Sequence, residues 1–249
     1  MLIKENAQYL RLTNLRNNFE LYIKEASVHG MSLEEFLDTI LRYEAEYRKS
    51  NLIEKRIKAA KFPYHITFDE FKTDHLSIEL KQKIRELSTL EFIDNKENII
   101  LIGNPGTGKT ALSVALGLSA CTRGKRVLFI SVPQLIIEVN EAMSKSQYLS
   151  YKNKFEKYDL VILDELGYSS FSRESGEILF NLLSSKNDSG SIIVTSNLTV
   201  DKWIETFKDQ FLTGAMVDRL TRMAHMIDMS GESYRLRQTR EWMNKTNEK

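Results

Sequence analysis

Two hydrophobic rhythms run along the chain, and they change over near residue 62. Up to residue 61 the pattern is that of helices, with Leu33, Phe36, Leu37, Ile40 and Leu41 recurring three and four apart, as on one helical face. Ser32 and Glu35 form a capping-box pattern just after Gly30, so one helix ends and the next begins there. Phe62-Pro63 stops the pattern, because the residue before a proline is pushed out of the α region. Beyond it, the short apolar runs NIILIG (98–103), RVLFISV (126–132), LVILDEL (160–166) and SIIVTSN (191–197) alternate with helical stretches. Continuous apolar strands separated by helices predict a parallel sheet covered on both faces. The expectation is an α/β fold over 63–249, preceded by a small all-helical domain over 1–62 whose amphipathic helices suit a partner helix or self-association.

Composition narrows the partners. Thirty-five Lys and Arg against 34 Asp and Glu leave a net charge of +1, so binding to nucleic acid has to come from local patches. One basic stripe lies from Arg48 to Lys61, where six basic residues stand against Glu54 alone, whereas residues 1–47 hold five basic and eight acidic side chains; it suits DNA or an acidic partner, with a solvated helix face as the alternative. The single Cys121 excludes an internal disulfide and, set in VALGLSACTRG, reads as a small buried hydrophobe of a cytoplasmic protein. MLIKENAQYLRL has no long apolar run, so neither a signal peptide nor a membrane association is expected.

The chemistry starts in the loop after the first apolar run. GNPGTGKTA supplies Gly103, Asn104, Pro105, Gly106, Thr107, Gly108, Lys109, Thr110 and Ala111, a G-x-x-x-x-G-K-[ST] motif between an expected strand and an expected helix. Backbone N–H groups there would cradle phosphates, Lys109 would neutralise the β and γ oxygens, and Thr110 would coordinate Mg2+. LVILDE delivers Asp164 to the end of a buried strand as a second Mg2+ group, and Glu165 beside it can orient or deprotonate a water. That pair favours hydrolysis over phosphoryl transfer to a metabolite. Asn197, ending SIIVTSN, is placed to hydrogen-bond the γ-phosphate or the attacking water. No Asn-Lys-x-Asp motif follows a later strand; NKFE at 153–156 precedes the acidic one, which favours ATP over GTP.

In this order the motifs resemble those of AAA+ ATPases. KRIKAAKFPY (55–64), LDELGYSSFSRESGEILFNLL (163–183), MVDRLTRMAH (216–225) and GESYRLR (231–237) resemble the IstB-like helper ATPases of two-gene bacterial insertion sequences, relatives of DnaC-type helicase loaders and DnaA. The resemblance implies an AAA+ domain with a reduced lid, since only about fifty residues follow Asn197. It also implies that subunits complete one another's sites. Arg219 matches the arginine that reaches a neighbour's γ-phosphate, with Arg222 a second candidate, and Arg235 matches the sensor arginine acting within one subunit. Where many relatives have Leu-Leu-His-His after Asp-Arg, this chain has Leu220-Thr221-Arg222-Met223.

Residues 133–158 have room for two helices where a minimal fold needs one. In initiator-type AAA+ proteins the extra helix lines a DNA channel, and here the insert carries Lys145, Lys152, Lys154 and Lys157 beside Tyr148 and Tyr151. Lysines would give salt-dependent, sequence-tolerant affinity for phosphates; a solvated helix with core-facing tyrosines is the alternative. The implied function is an ATP-dependent factor that forms a homo-oligomer on double-stranded DNA, recruits and activates a cognate transposase, and disassembles after hydrolysis. A replicative helicase loader with the same core is the alternative, and a small-molecule P-loop kinase a third, which Glu165 and the trans-arginine pattern disfavour.

Overall fold

In the computed structural model, residues 2–74, 76–168, 172–186, 189–231 and 233–247 are described. Glu232 of the GESYRL stretch and Ser169 to Phe171 of the LDELGYSSF stretch lie outside them. Two compact units divide the chain, Met1–Lys55 and Arg56–Lys249.

The first unit holds α1 (Leu2–Tyr9), α2 (Thr13–His29) and most of α3 (Leu33–Ala60). Gly30, at φ 60°, ends α2 in the left-handed region that a side chain enters only with strain. The capping box then starts α3: Ser32 N–H donates to Glu35 Oε2 at 2.8 Å, and Glu35 N–H donates to Ser32 Oγ at 3.2 Å. Those two bonds hold the exposed Glu35 carboxyl below its ordinary pKa. Buried Glu44 joins the helices, accepting from Leu15 N–H at 3.1 Å and from Arg48 Nε at 3.2 Å. The apolar stripe of α3 does not fill this core: Leu33, Leu37 and Leu41 are 88%, 59% and 57% exposed.

The second unit begins inside α3 rather than at Phe62-Pro63, and packing explains why. Ala60 is fully buried, and Ile57 and Phe62 pack against the cluster that covers one face of the sheet. Then follow α4 (Ile78–Ser88), α5 (Glu91–Asp94), β1 (Asn98–Ile102), α6 (Lys109–Thr122), β2 (Val127–Ser131), α7 (Val132–Ser144), α8 (Tyr148–Glu156), β3 (Leu160–Leu166), α9 (Arg173–Lys186) and β4 (Ser191–Ser196). A 3-10 turn (Val200–Trp203), α10 (Ile204–Phe207), α11 (Gln210–Thr221), β5 (Ala224–Asp228) and α12 (Tyr234–Asn247) complete it.

All neighbouring strands are parallel, in the order β2-β3-β4-β1-β5. Successive side chains of a strand point to opposite faces, and both faces are dry. Ile99 and Leu101 join one core cluster with Leu112 and Leu116 of α6, while Ile100 joins the other with Leu135 of α7 and Leu182 of α9. Each such fully buried aliphatic side chain contributes about 1.5–3 kcal/mol. Residues 133–158 form α7 and α8, with Tyr148 and Tyr151 packed against the second cluster. Strand β5 was not among the expected runs. It lies at the sheet edge, where among its five residues only Ile227 is buried, so its sequence lacks a continuous apolar signal.

Candidate active site

Three strand ends converge on one cavity. β1 runs into the glycine loop, β3 ends in the acids, and β4, lying between them, ends in Thr195 and Ser196. Ligands of open parallel sheets bind at such carboxyl ends. The cavity, of about 260 Å³, is lined by Gly106, Gly108, Lys109, Thr110, Glu165, Thr195 and Arg235, among others.

Close packing dictates glycine in this loop. A Cβ on Gly103 would stand 2.6 Å from the backbone carbon of Met229, which cannot move aside as a side chain could. Gly106, at φ 81°, has the left-handed backbone that glycine adopts without strain, and its carbonyl accepts from Tyr234 N–H at 2.9 Å. Thr107 Oγ1 donates to Asn104 O at 2.9 Å, and Asn104 Nδ2 donates to Gly231 O at 3.4 Å, so the loop is braced from within and from the segment before α12. Pro105 and Ala111 line the same cavity. Gly108 is the residue before α6, so the N–H groups of the first turn of α6 face the cradle as an anion site. Lys109 is buried, and its Nζ donates to Gly103 O at 2.7 Å and Asn104 O at 2.8 Å. Burial holds its pKa below the usual lysine value; the Asp164 carboxylate opposes that shift and the Arg235 charge adds to it.

The acids owe their placement to a bulge. Between Leu163, paired with Val194, and Leu166, paired with Ser196, β3 carries one residue more than β4. Glu165 sits at φ 65° and stays exposed, while Asp164 is 7% exposed. Thr195 secures the distortion: its Oγ1 accepts from Glu165 N–H at 3.0 Å and donates to Asp164 Oδ1 at 2.5 Å. Thr110 Oγ1 also donates to Asp164 Oδ1, at 3.1 Å. Asp164 and Thr110 thus present two hard oxygens side by side. Among the described residues no group of three His, Cys, Asp or Glu could hold a metal alone. The pair fits a cation that takes most of its oxygens from water and phosphate, as Mg2+ does.

The other candidates are more scattered. Asn197 is half-buried next to Gly167, its buried Oδ1 without a hydrogen-bond partner among the described residues, and it is not among the residues lining the cavity. Arg219 is not among them either. Thr213, Met216 and Leu220 bury one face of α11, which leaves Arg219 half-buried with its guanidinium 5.8 Å over the Phe180 ring, and Arg222 exposed beyond the helix end. Lys145, Lys154 and Lys157 are exposed and Lys152 is half-buried; Lys145 pairs with Glu141 at 3.6 Å and Lys152 with Glu156 at 4.0 Å. Tyr151 points inward, donating to Glu138 Oε2 at 3.1 Å. Sequence reasoning missed Thr195, Tyr64, Tyr168 and Tyr234, all of which line the cavity. Only the hydroxyl at a strand end, in TSN, was a visible signal for any of them. A second cavity, of about 320 Å³, reaches the loop at Thr107 and is walled by Leu76, Leu80, Met229 and Arg237.

A phosphate cradle on a strand flanked by β4 and β5, with the acids on β3, is the arrangement of an AAA+ ATPase, and solved structures share the fold. The chain matches a DnaI crystal structure with TM-score 0.56 and 17% identity, covering 70% of this chain and 93% of that one. It matches AMPPCP-bound DnaA from Aquifex aeolicus with TM-score 0.55 and 22% identity over 73% of this chain, spanning only 55% of that longer one. More particularly, the chain belongs to the IstB-like ATP-binding proteins, the family matched over residues 5–242. It is 35% identical to the ATP-binding protein assigned to insertion sequence IS5376 of Geobacillus stearothermophilus, over 96% of this chain and 95% of that one. To the corresponding protein of IS21 from Pseudomonas aeruginosa it is 34% identical, over 93% and 87%. The protein is an ATPase of that family.

Proposed function

We propose that the protein is the ATP-dependent regulator of an insertion sequence: it assembles as a homo-oligomer on double-stranded DNA, recruits and activates the cognate transposase, and disassembles when ATP is hydrolysed. The observation that carries this reading is the likeness, along nearly the whole chain, to ATP-binding proteins of insertion sequences. In this reading the work is cytoplasmic, and among the described residues no helix is long and apolar enough to cross a membrane.

The residues divide the chemistry as follows. Backbone N–H groups of Gly106 to Thr110 and the Lys109 ammonium hold the β and γ oxygens. Thr110 and Asp164 hold Mg2+, which when bound neutralises phosphate charge. Glu165 orients the attacking water, and Thr195 fixes the backbone that aims it. Asn197 and Arg235 act from the same subunit, the latter from the start of α12. The place of Arg219, outside its own subunit's cavity, supports a role on a neighbour's γ-phosphate. The adenine fits the apolar wall of Leu76, Leu80 and Met229 on the other side of the loop.

Fluorescence anisotropy with labelled duplex DNA tests the DNA step. Binding is expected to tighten with ATP over ADP, to tolerate sequence changes, and to weaken steeply with salt. Equal binding with and without nucleotide, or a flat salt dependence, would contradict the proposal.

A further inference from the structure

The cavity that holds Lys109, Thr110 and Glu165 is also walled from outside its strand ends, by Tyr168, by Tyr234 and Arg235 of α12, and by Tyr64. Of these, Tyr64 comes from the segment between α3 and α4. Its place is set two residues earlier. Phe62 packs against Phe129 of β2 at a centroid distance of 6.2 Å, and a Cβ on Gly117 of α6 would meet the Phe62 ring at 2.7 Å. Pro63 then fixes the backbone between anchor and wall.

Packing does not explain a tyrosine here. Its side chain fills no core position, being 43% exposed, and among the described residues its hydroxyl has no hydrogen-bond partner. Yet its surroundings are strongly charged: Lys109, Thr110, Glu165 and Arg235 share the cavity. A phenol is protonated at neutral pH, so its O–H stands in the cavity as a donor.

We infer that Tyr64 is a γ-phosphate-reading residue, whose hydroxyl donates to a terminal phosphate oxygen and thereby separates ATP from ADP. The inference rests on the assignment of this cavity to the triphosphate. The cavity's composition selects the phosphate end: the charged groups stand on Tyr64's side, whereas Leu76, Leu80 and Met229 line the separate cavity beyond Thr107. A hydroxyl is the right group for the task, since a phenol brings one donor and no charge and so leaves the charge balance to Lys109 and Arg235.

Calorimetry with Mg2+ and either a non-hydrolysable ATP analogue or ADP tests this on the full chain, using wild type, Tyr64→Phe, Tyr64→Ala and Lys109→Ala. Tyr64→Phe keeps the ring and lacks only the donor. It is expected to weaken the ATP analogue about tenfold or more, the scale of a hydrogen bond to a charged acceptor, while ADP affinity changes less than about twofold. Tyr64→Ala should reproduce that selective loss. Unchanged affinities in Tyr64→Phe, or equal losses for both nucleotides in either variant, would overturn the inference and make the ring a nucleoside contact or a bystander. Undiminished nucleotide binding by Lys109→Ala would show instead that the cavity assignment itself is wrong.

Discussion

Thr195 carries two hydrogen bonds with one hydroxyl, and both go to the acid pair that ends β3. The left-handed backbone of Glu165 costs about 1–2 kcal/mol for a residue with a Cβ. The bond from its N–H to Thr195 offsets that cost, and the result is a carboxylate turned out to solvent beside one that stays buried. A regular strand would also send neighbours to opposite faces, but here the bulge decides where Glu165 points. The glycine loop was legible in the sequence because its residues are contiguous. Thr195 was not, since its role depends on a register shift between strands, and Tyr64 was not, since Phe62 places it through tertiary packing. Glu165→Gln keeps shape and backbone. It is expected to bind ATP as wild type does and to hydrolyse it about 10²-fold more slowly, the scale of a lost positioned base. A steady-state phosphate-release assay reads this, and an unchanged rate would assign the water to another residue.

At the scale of elements, α11 and α8 turn charged side chains away from the core that holds them. Burial of Thr213, Met216 and Leu220 fixes the rotation of α11 and so sets the Arg219 guanidinium over the Phe180 ring, at the margin of the core. Arg219→Ala is expected to bind ATP nearly normally but to lose about 10³-fold or more in turnover, as for a missing arginine finger. Mixing it with Lys109→Ala subunits, which keep Arg219, should restore part of the rate at hybrid interfaces; no rescue at any ratio would rule out action in trans. In α8, Phe155, Tyr148 and Tyr151 face the core, which leaves Lys154 and Lys157 outside with Lys152 at the margin. The half-buried tyrosines lean on the core, and the lysines carry the DNA proposal. Replacing Lys152, Lys154 and Lys157 by Glu should weaken duplex binding and flatten its salt slope while leaving the circular dichroism spectrum unchanged. Full retention of binding would move the DNA contact elsewhere. Strand β5 shows the limit of pattern reading: an edge strand with one buried residue has no run to detect.

On the scale of the whole molecule, the two units differ in what their apolar surface does. The α/β unit hides its apolar runs in a covered sheet, which is why the sequence announced four of its strands. The helical unit leaves Leu33, Leu37 and Leu41 of its apolar helical face exposed. Such a stripe suits a partner helix. The change of rhythm near Pro63 marks where helical periodicity ends, whereas the compact units divide at Lys55, because the last turns of α3 pack on the sheet. We propose that the transposase partner docks on this helical unit, with the exposed Leu33, Leu37 and Leu41 as its contact face. The direct measurement is strand transfer by the purified transposase of the same element, with ATP and DNA, in the presence of the full chain or of a chain lacking residues 1–55, with loading of a replicative helicase assayed in parallel. The account predicts that only the full chain stimulates strand transfer, that the shortened chain still binds ATP, and that the helicase is unaffected. Helicase loading without any effect on the transposase would contradict it.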